Sequence, residues 1–104
     1  MSVKNNIPEG MKGSIPKIQG ILKKHCVARG AAFGSRINGG YDDNSDLDII
    51  IEFQEGTKKI LQHILSISKE IKTQCGFIVD ITTFKGVNKK VWNDIENSLY
   101  FFYE

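Results

Sequence analysis

Apolar residues recur along the chain with two periods, and these periods predict three helices and three strands. Helical spacing is found in three segments, residues 16–25, 60–71 and 88–102. Short apolar runs rich in strand-forming residues occupy three others, residues 31–33, 47–53 and 77–84. The order α-β-β-α-β-α predicts a layered α/β (α+β) domain, in which a small mixed sheet carries its helices mainly on one face.

The last helix is predicted to begin after Asn88, whose side chain can cap it, and to extend through Phe102. Its buried stripe is expected to consist of five residues: Val91, Trp92, Ile95, Leu99 and Phe102. Residues 1–15 are predicted to form an irregular lead-in. Residues 16–104 are predicted to form a single domain, because 104 residues suffice for one modest core.

Alternation along the second strand separates its apolar residues from its acidic ones. One face carries Leu47, Ile49, Ile51 and Phe53, which suits contact with the helices. Asp46 and Asp48 project from the other face, together with Ile50 and Glu52. Asp80 interrupts the apolar run of the third strand in the same way. If these two strands are neighbours, three carboxylates converge on one open face of the sheet.

Carboxylates placed in an apolar strand are costly unless a cation compensates them. Mg²⁺ is usually held by a few carboxylates together with substrate phosphates. Two such ions about 3.5–4 Å apart can clamp the attacking and leaving oxygens of an in-line displacement. Asp46, Asp48 and Asp80 are therefore candidate ligands for a pair of metal ions.

The loop before these aspartates is suited to binding phosphate. Gly34 permits close approach of the backbone to a phosphate, and backbone N–H groups with the Ser35 hydroxyl can bind its oxygens. Arg36 adds a planar fork of donors. Gly39 lets the chain turn back toward Ser45, so that phosphate and metal ligands lie close together.

Composition narrows the class of protein. A net charge of +2, with lysines scattered rather than clustered, carries no strong nucleic-acid signature. No apolar run is long enough to span a membrane, and the N-terminus lacks the apolar core of a signal peptide. Cys26 and Cys75 are predicted to be free thiols, which favours a cytoplasmic protein. His25 and His63 are interpreted as helix residues whose hydrogen bonds are satisfied, not as metal ligands.

The stretch "GSRINGGYDDNSDLDI" resembles the GSx…G…[ST]DxD signature of the DNA polymerase β-like nucleotidyltransferase superfamily. In its spacing it is most similar to the minimal nucleotidyltransferases (MNT). Val79-Asp80-Ile81 matches the strand that carries the family's third aspartate, and "IENSLYFFYE" is similar to the family's last helix. The resemblance covers residues 16–104 and implies the polymerase β-like nucleotidyltransferase fold.

The resemblance also implies an activity, the metal-dependent transfer of a nucleoside monophosphate from a nucleoside triphosphate. Asp46, Asp48 and Asp80 would be the catalytic and metal-binding residues, with Mg²⁺ or Mn²⁺, and Asp80 would help to deprotonate the acceptor hydroxyl. The nucleotide-binding residues would be Gly34, Ser35, Arg36, Gly39 and Ser45.

The usual companion of this subfamily is a small helical HEPN-domain protein, often a ribonuclease toxin. Several members resemble antitoxins that transfer AMP from ATP to a tyrosine of that toxin. The chain departs from the frequent GSRARG pattern at Asn38, which stands where a second basic residue is common. The aromatic residues of the C-terminal tail are interpreted as packing residues or as a contact with a partner or a second copy.

Two alternatives remain open at this point. The chain could be a binding module that neutralises its partner by occlusion, or one subunit of a two-part enzyme that acts on a small hydroxylated acceptor. The sequence does not choose among ATP, GTP, CTP and UTP, because no motif reports the shape of the base pocket.

Overall fold

The structure, a computed structural model, describes residues 12–34 and 46–103. Within these ranges the helices are α1 (Ile15–Lys24), α2 (Ile60–Cys75) and α3 (Lys89–Ile95). The strands are β1 (Val27–Phe33), β2 (Leu47–Phe53), β3 (Val79–Thr83) and β4 (Tyr100–Tyr103). None of the helices in the described part of the chain is long and apolar enough to cross a membrane.

The four strands form one mixed sheet in the order β3-β2-β1-β4. Strand β1 is antiparallel to both of its neighbours, β2 and β4, whereas β2 and β3 run parallel. A parallel pair needs a long crossover connection, and α2 lies within it. The predicted mixed α+β architecture is confirmed, with β1 beginning at Val27 rather than at residue 31.

The prediction for the end of the chain is wrong, because a fourth strand replaces the second half of the expected helix. Helix α3 ends at Ile95, and Tyr100–Tyr103 pairs with β1. In this strand Phe102 packs into the main core, whereas Phe101 packs on the opposite face of the sheet. Val91, expected to be buried, is 41% exposed. In a strand, the side chains of consecutive aromatic residues can be covered on both faces of the sheet.

The core is divided by the sheet into two clusters. The main cluster packs α1 and α2 against one face, with Ile18, Leu22, Ile49 and Ile67 fully buried. On the opposite face, Ile50 belongs to a smaller cluster that includes residues of α3. Two of the three described helices therefore share one face, as predicted. The carboxylate-bearing face is partly covered, however, and not open along its whole length.

Candidate active site

Asp48 and Asp80 are register partners in the parallel pair of β2 and β3. Partners in adjacent strands lie on the same face of a sheet, with the strands about 4.8 Å apart. Asp46 directly precedes β2. The two strands are neighbours, as predicted, so the fold brings the three carboxylates to one end of the same face.

The carboxylate of Asp48 is repelled by the other two carboxylates. Burial raises the pKa of Asp48 above its ordinary value, and the charges of Asp80 and then Asp46 raise it further. Asp48 is half-buried, whereas the other two aspartates are exposed. The ion pairs formed within the described ranges involve none of the three. A bound cation would relieve this repulsion.

The donor set fits a divalent cation that also binds substrate. Carboxylate oxygens are ligands of the type that Mg²⁺ prefers. Nevertheless, in the described part of the chain no three acidic, histidine or cysteine side chains are gathered so that they could hold a metal ion by themselves. Mg²⁺ in nucleotide sites usually takes further ligands from the phosphates of the nucleotide.

Gly34 lies directly against the carboxylate of Asp48. It follows the last residue of β1, Phe33, which pairs with Asp48, and it has a φ of +85°. A Cβ at this position would lie 2.3 Å from the Asp48 Oδ2 atom. Only glycine fits this combination of conformation and space. The other predicted nucleotide-binding residues lie outside the described residues: Ser35, Arg36, Gly39 and Ser45.

Sequence reasoning missed a second feature on the same face, a cavity of about 420 Å³ beside α3. Its lining includes Arg29, whose Nε donates a hydrogen bond to Glu52 Oε1 at 2.8 Å. The signal was present in the sequence, since Arg29 interrupts a small apolar run much as the aspartates interrupt theirs. Trp92, interpreted from the sequence as a packing residue, lines the cavity while it packs against the smaller cluster.

The two histidines find partners between α1 and α2, in agreement with their interpretation as satisfied side chains. His25 Nε2 lies 2.6 Å from Glu70 Oε2, and His25 Nδ1 lies 3.0 Å from His63 Nδ1. Hydrogen bonds from Lys24 and His25 lower the pKa of Glu70. Cys26 and Cys75 are free, half-buried thiols.

Comparisons with known proteins agree with this geometry. The family model described as "Nucleotidyltransferase domain" matches residues 15–100. Two proteins of Methanocaldococcus jannaschii are similar to the chain. "Putative protein adenylyltransferase MJ0435" is 35% identical over 78% of this chain and 85% of its own length. "Putative protein adenylyltransferase MJ1379" is 32% identical over 88% of this chain and 93% of its own length.

The fold also matches a solved structure, "Structure of putative minimal nucleotidyltransferase", with a TM-score of 0.75. The match covers 91% of this chain and 95% of the other at 21% sequence identity. At that identity the likeness establishes the shared fold.

Proposed function

The chain belongs to the nucleotidyltransferase domain family, and from this premise we propose that it transfers AMP from ATP to a hydroxyl of a partner protein, with Mg²⁺. The observation that carries the proposal is the register of Asp48 with Asp80, with Gly34 packed directly against Asp48. This arrangement sets two adjacent carboxylates beside the glycine that begins the stretch resembling the family's phosphate-binding signature.

Support for a protein acceptor comes from the two archaeal relatives, whose names describe protein adenylyltransferases. Each match covers most of both chains, so the proposed activity does not depend on a domain that the relatives have and this chain lacks. The resemblance noted above suggests a HEPN-domain protein as the acceptor, with this chain as its antitoxin. We adopt that protein as the first candidate to test.

The residues of the candidate site would have different roles in the reaction. Asp46, Asp48 and Asp80 would hold Mg²⁺, which supplies neutralisation of the phosphate charge when it is bound. Gly34 would contribute its backbone to binding of the triphosphate, as the resemblance implies, while Asp48 fills the space where a side chain would lie. Asp80 is exposed on an edge strand, where a hydroxyl group of a docked protein can reach its carboxylate.

The transfer itself is a displacement at the α-phosphate. The acceptor oxygen forms a bond to the α-phosphorus, the bond from that phosphorus to the bridging oxygen breaks, and pyrophosphate leaves. Asp80 accepts the proton of the acceptor hydroxyl. Because such a reaction relies mainly on positioning and charge neutralisation, a small domain can provide it.

The test is label transfer to a purified HEPN-domain protein from ATP labelled at its α-phosphate, in the presence of Mg²⁺. Wild-type protein should label the acceptor and Asp48→Asn should not. ATP labelled at its γ-phosphate is the control, because a kinase would transfer only that label. A lysate of the source cells, treated in the same way, shows whether another protein is the acceptor.

Other outcomes would contradict the proposal. Equal labelling by the wild type and by Asp48→Asn would separate the activity from these carboxylates. If both proteins neutralise the partner without labelling it, the chain acts by occlusion. Labelled small molecules, with no labelled protein, would identify a two-part enzyme with a small acceptor.

A further inference from the structure

The cavity beside α3 combines aromatic rings with cationic side chains. Its walls are formed by Arg29, Phe84, Val87, Lys89 and Trp92. The rings of Phe84 and Trp92 meet edge to face, with centroids 5.8 Å apart. The Cζ atom of Arg29 lies 4.0 Å from the centroid of the Phe84 ring. Aromatic rings and guanidinium planes are the surfaces on which nucleic-acid bases stack in proteins.

The charges around the cavity suit a ligand that accepts hydrogen bonds. Arg29 already forms an ion pair with Glu52, and both side chains are about 40% exposed, at 39% and 38%. Lys89 forms no ion pair with a carboxylate of the described residues. An acidic peptide would meet the Glu52 carboxylate beside the cavity, whereas a purine ring offers nitrogen acceptors to Lys89 without carrying a charge.

The distance between the cavity and the carboxylates is similar to the length of the ribose and base of a nucleotide. Glu52, the register partner of Arg29, lies four residues after Asp48 on the same face of β2. Four residues of a strand extend for about 13 Å. The ribose and base of an extended nucleotide span a separation of this order. Ile50 and Trp92 belong to the apolar cluster that lies between the two ends.

We propose that this cavity binds the base of the nucleotide whose phosphates meet Asp46, Asp48 and Asp80. The inference rests on the proposed function and adds a location for the base, with Trp92 and the Arg29–Phe84 stack as its contacts.

Trp92 is the one tryptophan of the chain, so its fluorescence reports on this cavity directly. Titration of the wild type with Mg²⁺–ATP should change the emission of Trp92. Inorganic tripolyphosphate with Mg²⁺, which lacks a base, should bind without this change. Equilibrium dialysis of both ligands measures binding independently of fluorescence.

Two variants extend the test. Trp92→Leu should weaken ATP binding by about 5- to 150-fold, the range expected for one base–aromatic contact, and leave tripolyphosphate binding unchanged. Lys89 is exposed, so Lys89→Gln should perturb the fold less than Trp92→Leu. It should also weaken the binding of ATP and leave the binding of tripolyphosphate unchanged. Phe53→Leu trims an aromatic ring that packs into the main core on the other side of the sheet and serves as the matched control.

Each outcome either supports or overturns the inference. If ATP binds by dialysis while Trp92 emission and the affinities of both variants stay unchanged, the base lies elsewhere and the proposed function is unaffected. If the variants bind ATP normally but no longer label the acceptor protein, the cavity belongs to the acceptor. If the folded wild type does not bind ATP at all, the proposed adenylyl transfer fails together with the inference.

Discussion

Gly34 and Asp48 are packed so closely that a single methyl group could not be placed between them. A Cβ on Gly34 would lie 2.3 Å from Asp48 Oδ2, and the backbone of Gly34 is in the left-handed region with φ of +85°. The end of β1 and the start of β2 are therefore fixed against each other at this point. The same contact positions the most buried of the three candidate metal ligands.

Gly34→Ala should destabilise the protein and displace the Asp48 carboxylate. We expect a loss of more than about 1 kcal/mol, because a non-glycine residue in the left-handed region is strained and the added methyl group collides. Activity should fall by about 100-fold or more, the usual effect of misplacing a reacting group. Urea unfolding and the label-transfer assay measure the two effects.

Gly20→Ala is the matched control for this change. Gly20 lies inside α1, and a Cβ there would meet nothing within 4 Å. The free energy of unfolding should therefore rise by about 0.4–1 kcal/mol, with activity unchanged. If both alanine variants behaved alike, the contact between Gly34 and Asp48 would have no special role.

Asp48→Asn should abolish transfer while it stabilises the metal-free protein. The amide removes a carboxylate that burial and the charges of Asp80 and Asp46 make unfavourable in its ionised form. Activity should fall by at least about 100-fold, the scale of losing one electrostatic partner of a transition state. Thermal unfolding in a chelator and label transfer test the two expectations on the same sample.

The stabilisation by Asp48→Asn should depend on pH with a defined sign. The pKa of Asp48 is raised in the folded protein, so the folded state binds a proton more readily than the unfolded chain. Wild-type stability should therefore increase as pH falls from the raised pKa of Asp48 toward its ordinary value of 3.8. The advantage of the asparagine variant should shrink over the same interval. An advantage that stays constant would show that repulsion is not its cause.

Mg²⁺ should stabilise the wild type and not the Asp48→Asn variant. Binding to the folded state alone contributes about 2.7 kcal/mol when the free ion is at 100 times its dissociation constant. In a domain of this size that corresponds to a rise of about 10–20 °C in Tm. Glu55→Gln, an exposed change two residues beyond the far end of β2, should keep the full response. A response retained by Asp48→Asn would place the ion elsewhere.

Tyr103→Phe tests how strongly the fourth strand is attached. The Tyr103 hydroxyl donates a hydrogen bond to the Val27 carbonyl oxygen at 2.7 Å. Its loss should lower the free energy of unfolding by about 1 kcal/mol at neutral pH. Burial raises the pKa of Tyr103 to about 12, from an ordinary 10.0.

The contribution of Tyr103 should therefore be complete below pH 10 and decline as pH rises toward 12, because the unfolded chain ionises first. The difference in unfolding free energy between the wild type and Tyr103→Phe, measured by urea titration across this range, should shrink accordingly. A difference that is absent at neutral pH would mean that this hydrogen bond does not stabilise β4.

Much of the candidate site was predictable from the sequence because it depends on a period of two. Alternation along β2 placed Asp48 opposite the helix-facing residues, and the parallel pairing with β3 confirmed that Asp80 is its neighbour. The cavity at Arg29 was not predicted, since its walls come from β1, from α3 and from the segment after β3. No local pattern links residues so far apart in the chain.

The sequence by itself determined which face of β2 meets the helices and which residues carry the acidic chemistry. These properties follow from local periodicity and from the cost of burying charge. The tertiary structure alone decided that Tyr100–Tyr103 forms a strand and that α3 covers part of the carboxylate face. Aromatic residues near the chain end suit a helix or a strand. The strand forms because β1 would otherwise leave one edge unpaired. Pairing with Tyr100–Tyr103 satisfies the backbone hydrogen bonds of that edge, which no local interaction could do.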